Sequence, residues 1–169
     1  VSYMGGGPGS DSLVNLGTVN STLSGGVGAD TIRNWMLASW LNGDEDDDYI
    51  INYSFVNADL HGGTGADTVI NHSGAFASFL YGDAGADSVV NAGYAAGDLL
   101  GGDGDDTVVN LYLNCCGGSR TSNLAGGAGA DSVVNGGYVL GSVSGGADDD
   151  IVVNLGGAQA SHIYGDDGN

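Results

Sequence analysis

Lysine is missing from this chain of 169 residues, and Arg33 and Arg120 are the only strong bases set against 21 acids. The formal charge of −19 argues against nucleic acid and acidic membrane surfaces as partners. No apolar run is long enough to insert in and cross a bilayer, and no basic start followed by a hydrophobic segment marks an uncleaved signal peptide. Proline occurs once and cysteine twice. Cys115 and Cys116 are adjacent, which makes no disulfide framework and a poor zinc site, since zinc ligand pairs are usually separated by about two to four residues. A vicinal disulfide, a bond to another subunit and free thiols stay open, with an oxidised pair favoured by the extracellular cast of the composition.

What the chain has in abundance is glycine, 34 residues of it, enough to exclude an ordinary helical globule. The glycines are periodic, which argues against a flexible linker too. Eight segments repeat one pattern: GGPGSDSLVN, GGVGADTIRN, GDEDDDYIIN, GGTGADTVIN, GDAGADSVVN, GGDGDDTVVN, GGAGADSVVN and GGADDDIVVN. Their closing aspartates are Asp11, Asp30, Asp48, Asp67, Asp87, Asp106, Asp131 and Asp150, spaced by 19, 18, 19, 20, 19, 25 and 19 residues. A period of this length is one solenoid coil. The expected fold is therefore all-β, a parallel β-solenoid of about eight coils, with residues 1–169 forming one domain and function carried on the faces of a stack. The chain opens inside one motif and stops inside another, at Gly165 to Asn169, as would an excerpt of a longer array or a subunit whose ends meet other subunits.

Strand alternation assigns the inside and the outside of each coil. The closing aspartate and the residue two later are expected inward, so Leu13, Ile32, Ile50, Val69, Val89, Val108, Val133 and Val152 form one core ladder. Leu23, Leu41, Leu60, Leu80, Leu99, Leu124, Val143 and Ile163 form a second. Asn15, Asn34, Asn52, Asn71, Asn91, Asn110, Asn135 and Asn154 follow their aspartates by four residues and are expected as a buried amide ladder at a corner rather than a ligand-binding row. Outward, Ser12, Thr31, Tyr49, Thr68, Ser88, Thr107, Ser132 and Ile151 run beside Val14, Arg33, Ile51, Ile70, Val90, Val109, Val134 and Val153. The second row predicts an exposed apolar strip suited to self-association.

All but one of the acids are aspartate, concentrated in the glycine-rich loops, where short carboxylates suit a hard cation; eight doubly charged ions would bring the chain near neutrality. GGVGADTIR at 25–33, GGTGADTVI at 62–70 and GGDGDDTVV at 101–109 resemble the GGxGxDxUx nonapeptide of the repeats-in-toxin family of calcium-binding β-rolls. The nineteen-residue coil with one motif per turn looks more like the single-sided calcium solenoids of giant bacterial adhesins, and the similarity spans essentially the whole chain. The resemblance implies Ca2+, about one ion per coil, held between adjacent loops by Asp11, Asp30, Asp48, Asp67, Asp87, Asp106, Asp131 and Asp150 with loop carbonyls. Asp46 and Asp148 stand where the motif has glycine, either adding a carboxylate or distorting the loop; Asp44, Asp83 and Asp103 are further loop acids, solvated or bonded.

An ice-binding relative of this kind carries outward threonine and asparagine rows in its loops. Here the corresponding rows are mixed, as in Pro8, Val27, Glu45 and Thr64, which leaves ice binding as the alternative reading. His61, His72 and His162 recur beside no nucleophile, and paired loop acids read more simply as ligands than as an acid and base, so no catalysis is expected. Trp35, Trp40, Phe55, Phe76 and Phe79 are expected to fill the core or cover edges. The resulting expectation is a non-catalytic, calcium-rigidified extracellular or cell-surface scaffold of an adhesin, surface layer or secreted filament. It would associate end to end or through the Val/Ile strip, without nucleic acid or membrane insertion. A calcium-triggered secretion and folding module of an exported enzyme is the second alternative.

Overall fold

The computed structural model describes residues 1–111 and 119–168. Cys115 and Cys116 lie outside the described residues. The described residues form strands and turns and no helix, and every strand pairing is parallel. The chain is a parallel β-solenoid of about eight coils, each contributing in turn to two large sheets and, in its middle coils, to a small third one. The first sheet has nine strands, from Met4–Pro8 to His162–Asp166; the second has eight, from Ser12–Asn15 to Ile151–Asn154. Phe76–Ala77, Tyr94–Ala95, Arg120–Thr121 and Tyr138–Val139 make the third.

The register follows the repeat. Asn91 lies beside Asn110, Val89 beside Val108 and Leu80 beside Leu99, so identical positions stack at the strand spacing of about 4.8 Å. Both expected core ladders are present, and all their members from Leu13 to Val143 are buried. Val152 is partly buried and Ile163, in the last strand of the first sheet, is 48 % exposed. A third inward ladder was not foreseen: Val19, Ala38, Val56, Ala77, Ala95, Thr121 and Val139 close the remaining side. Its small residues leave no volume for rings.

That narrow cross-section rules out the first of the two places expected for the aromatics, the core. None of Trp35, Trp40, Phe55, Phe76 and Phe79 belongs to the core; they stack on the surface along the axis. Phe55 lies on Phe76 at 4.4 Å between centroids, Phe76 on Tyr94 at 5.5 Å, and Trp35 on Tyr53 at 4.0 Å. The Arg120 guanidinium continues the first of these columns between Tyr94 and Tyr138, 6.0 and 5.2 Å from the two centroids. Rings stacked coil on coil give their faces to each other and their edges to water, the opposite of a platform for a flat ligand.

Candidate cation-binding column

Each closing aspartate occupies the corner where a glycine loop leaves the first sheet and enters the second, and alternation turns its side chain inward. Asp30, Asp48, Asp67, Asp87, Asp106 and Asp131 are buried, Asp67 to 1 % exposure; Asp11 and Asp150, in the outer coils, are half-buried. The carboxylates are held by backbone. Asp11 donates its N–H to Oδ1 of Asp30 at 2.6 Å, Asp67 to Asp87 at 2.8 Å and Asp131 to Asp150 at 2.9 Å, and the pairs between them repeat the bond. One oxygen of each carboxylate from Asp30 to Asp150 thus splices its coil to the preceding one. The other, Oδ2, is buried without a hydrogen-bond partner in all eight residues.

What Oδ2 faces is visible from the glycine five residues before each aspartate. A Cβ built on Gly62 would stand 2.6 Å from Oδ2 of Asp67 and 2.5 Å from the carbonyl oxygen of Gly82 in the next coil. On Gly82 it would stand 2.5 Å from both Oδ2 of Asp87 and the carbonyl of Gly101. Two acceptors therefore converge on a space that only glycine leaves open. Burial pushes Asp67 and Asp106 up to about 7 and Asp48 up to about 6, and it raises Asp87 and Asp131 as well. The donated N–H opposes this in each case, and nearby carboxylates add to the rise.

A proton or a hard cation satisfies such a pair of oxygens, and an oxygen-only donor set is the kind that suits calcium. Among the described residues no three His, Cys, Asp or Glu side chains converge. A cation here would accordingly rest on one carboxylate per coil and on carbonyls, and the orphaned oxygens fit that role.

The extra acids divide by position. Asp46 and Asp148 adopt φ of 75° and 80°, the left-handed conformation that glycine takes in the equivalent loops. Asp44, Asp83 and Asp166, four residues before the closing position, are also left-handed, and each binds a side chain of the preceding coil: Ser24 to Asp44, His61 to Asp83 at 2.9 Å, Ser144 to Asp166. Asp103 is exposed. This second splice was missed in the sequence, although its signal is there, a serine or histidine 20 or 22 residues upstream of each of these three acids. A cavity of 190 Å³ between the last loops is lined by Asp148, Asp150, Gly165, Asp166 and Gly168.

His61 is half-buried against Asp83, whose bond raises its pKa. His72 and His162 are exposed. The asparagines form the expected ladder, each Nδ2 from Asn15 to Asn135 donating to Oδ1 of the next coil at 2.7 to 3.1 Å and most also to a turn carbonyl, such as Tyr94 from Asn71; Asn154, at the end of the ladder, is exposed. No protein-family model matches this chain, and neither does any curated protein or any solved structure.

Proposed function

We propose that the chain is a non-catalytic, calcium-rigidified scaffold that works outside the cell or at its surface, in an adhesin, a surface layer or a secreted filament. The observation that carries this reading is the column of eight buried Oδ2 atoms, each without a partner and in register along the stack. A bound Ca2+ supplies the positive charge that the converging oxygens lack, and its hold on two coils at once adds directly to folding free energy. Asp11, Asp30, Asp48, Asp67, Asp87, Asp106, Asp131 and Asp150 are the carboxylate ligands, with glycine carbonyls such as Gly82 and Gly101 beside them.

The chain's own residues do the rest. The N–H of one aspartate fixes Oδ1 of the next, the glycine keeps the space clear, and the asparagine and aliphatic ladders hold the spacing between loops. The resemblance of the loops to the repeats-in-toxin nonapeptide supports the same ion. So does the charge: at −19, a stack of acid loops repels itself unless counter-charge lies between them. Equilibrium dialysis of the protein against calcium tests the reading. An uptake of about one ion per coil, competed poorly by magnesium because that ion demands a tighter geometry, is the expected result; an uptake of no more than one ion in all would remove it.

A further inference from the structure

We infer that the outward face of the second sheet is a self-association surface and that its partner is a second copy of this chain, packed face to face and antiparallel. The inference deepens the scaffold reading, on which it rests for its biological sense, by naming what the scaffold joins.

The face is three columns wide. Outward residues one and three places after each aspartate are continued by a third at the fifth place, because the parallel pairing runs on past the asparagine, with Trp35 N–H bonded to the carbonyl of Asn15 and Leu111 N–H to that of Asn91. Reading the three columns across all eight strands, from Ser12, Val14 and Leu16 to Ile151, Val153 and Leu155, finds no acid. The chain has 21 acids, and this face carries none of them. Two copies charged to −19 repel wherever their loops meet, and this face lets them touch without bringing carboxylates together.

Its texture fits a copy of itself. The sheet is parallel and in register throughout, so a mainly Ser/Thr row and a Val/Ile row recur at about 4.8 Å, and a second array of the same period meets both at once; the third column is mixed over the contacting coils, with Tyr53, Leu111 and Leu155 adding apolar surface beside His72, Ala92 and Gly136. The middle column is half-buried between its neighbours from Ile70 to Val134, with Ile51 buried and Val14 and Val153 exposed toward the ends, which gives a flat central surface rather than a row of projecting side chains. Arg33 fixes the register. A two-fold axis between the coils of Val90 and Val109 sets those two coils against each other, the coil of Ile70 against that of Val134 and the coil of Ile51 against that of Val153. The coil of Arg33 then has no strand opposite it, so its charge stays in water. Six strands at about 4.8 Å by five residues at about 3.3 Å give roughly 500 Å² on each copy, or about 1,000 Å² in all, the lower limit of a specific interface and enough for a weak dimer.

Sedimentation of the 169-residue chain in calcium, over a wide concentration range, tests this. The weight-average mass should rise from 16.7 kDa toward twice that value, whereas Val90→Asp with Val109→Asp should hold it at 16.7 kDa with unchanged β-type circular dichroism and calcium uptake. Arg33→Asp, outside the contact, should leave the association constant within about twofold of the starting protein. A mass fixed at 16.7 kDa up to millimolar protein, or association that survives the paired substitution, overturns the inference. Loss of association in Arg33→Asp overturns the antiparallel register. The two readings fail separately: a dimer that takes up no calcium removes the proposed function and keeps this face, and a calcium-loaded monomer does the reverse.

Discussion

The backbone N–H of Asp67 donates to Oδ1 of Asp87, 2.8 Å away in the next coil, and that bond leaves Oδ2 of Asp87 facing the carbonyl of Gly101 with no donor between them. One side chain thereby does two things. It joins two coils, and it leaves an unpartnered carboxylate oxygen that repeats up the stack.

Asp87→Ala should remove both roles, reducing calcium uptake by about one ion with little effect on distant coils, because neighbouring repeats couple mainly to one another. Asp87→Asn separates the roles. Its amide oxygen still accepts from Asp67, while its Nδ2 can donate to Gly101 without the proton that the buried carboxyl must take up, so the metal-free chain should gain about 1–3 kcal/mol. Denaturation at pH 5 in chelator, paired with calcium titration, would read both effects; an Asn variant that binds the full complement of ions would refute the assignment of Oδ2.

Acidity should act in opposite directions with and without the ion. An unfolded aspartate ionises near 3.8, whereas Asp48 in the fold holds its proton to about 6 and Asp67 and Asp106 to about 7. Between those values the native state binds more protons, so metal-free stability is fully present below about pH 4 and is lost as pH rises through 6 to 7. Each unit of separation is worth about 1.4 kcal/mol, which makes the slope steep. Melting temperature in chelator should fall from pH 4.5 to 8; in calcium it should rise over the same range, because protons compete for the same oxygens.

Much of this was legible in the sequence because a solenoid repeats its instructions. Eight copies of one motif identify the inward Val/Ile and Leu ladders, the asparagine corner and the aspartate column. The third ladder was not legible: Ala38, Val56, Ala77 and Thr121 follow connections of unequal length, across which counting from the aspartate loses register. The outward fate of Trp35 and Phe55 was hidden for the same reason, since only the small residues of that ladder show how little room the interior has. Nor does spacing alone disclose that Oδ1 is already committed to a neighbouring N–H, which is what singles out Oδ2.

Asn91→Leu should be severe although it adds apolar volume. It removes bonds to Asn71 and Asn110, to the carbonyl of Arg120 and from the N–H of Gly93, all at a buried corner. A loss of at least about 3 kcal/mol in calcium-loaded denaturant unfolding is expected, since each stranded polar group costs about 1–3 kcal/mol. A loss below about 1 kcal/mol would mean that the ladder contributes little.

Asp46→Gly should stabilise. The native φ of 75° costs a side chain about 1 kcal/mol and costs glycine almost nothing, and the change also removes one charge from the most acidic loop. Unfolding of the metal-free chain at pH 5 should shift upward by about that amount; a downward shift would show that the carboxylate of Asp46 makes a favourable contact.

The central claim is that buried, unpartnered oxygens make this fold depend on a cation at neutral pH. Far-ultraviolet circular dichroism at pH 7.5, recorded in about millimolar calcium and again after complete chelation, tests it most directly. A β-type spectrum in calcium, a largely disordered one in chelator, and recovery on adding calcium back are expected. An unchanged β spectrum after all divalent metal has been removed would contradict it.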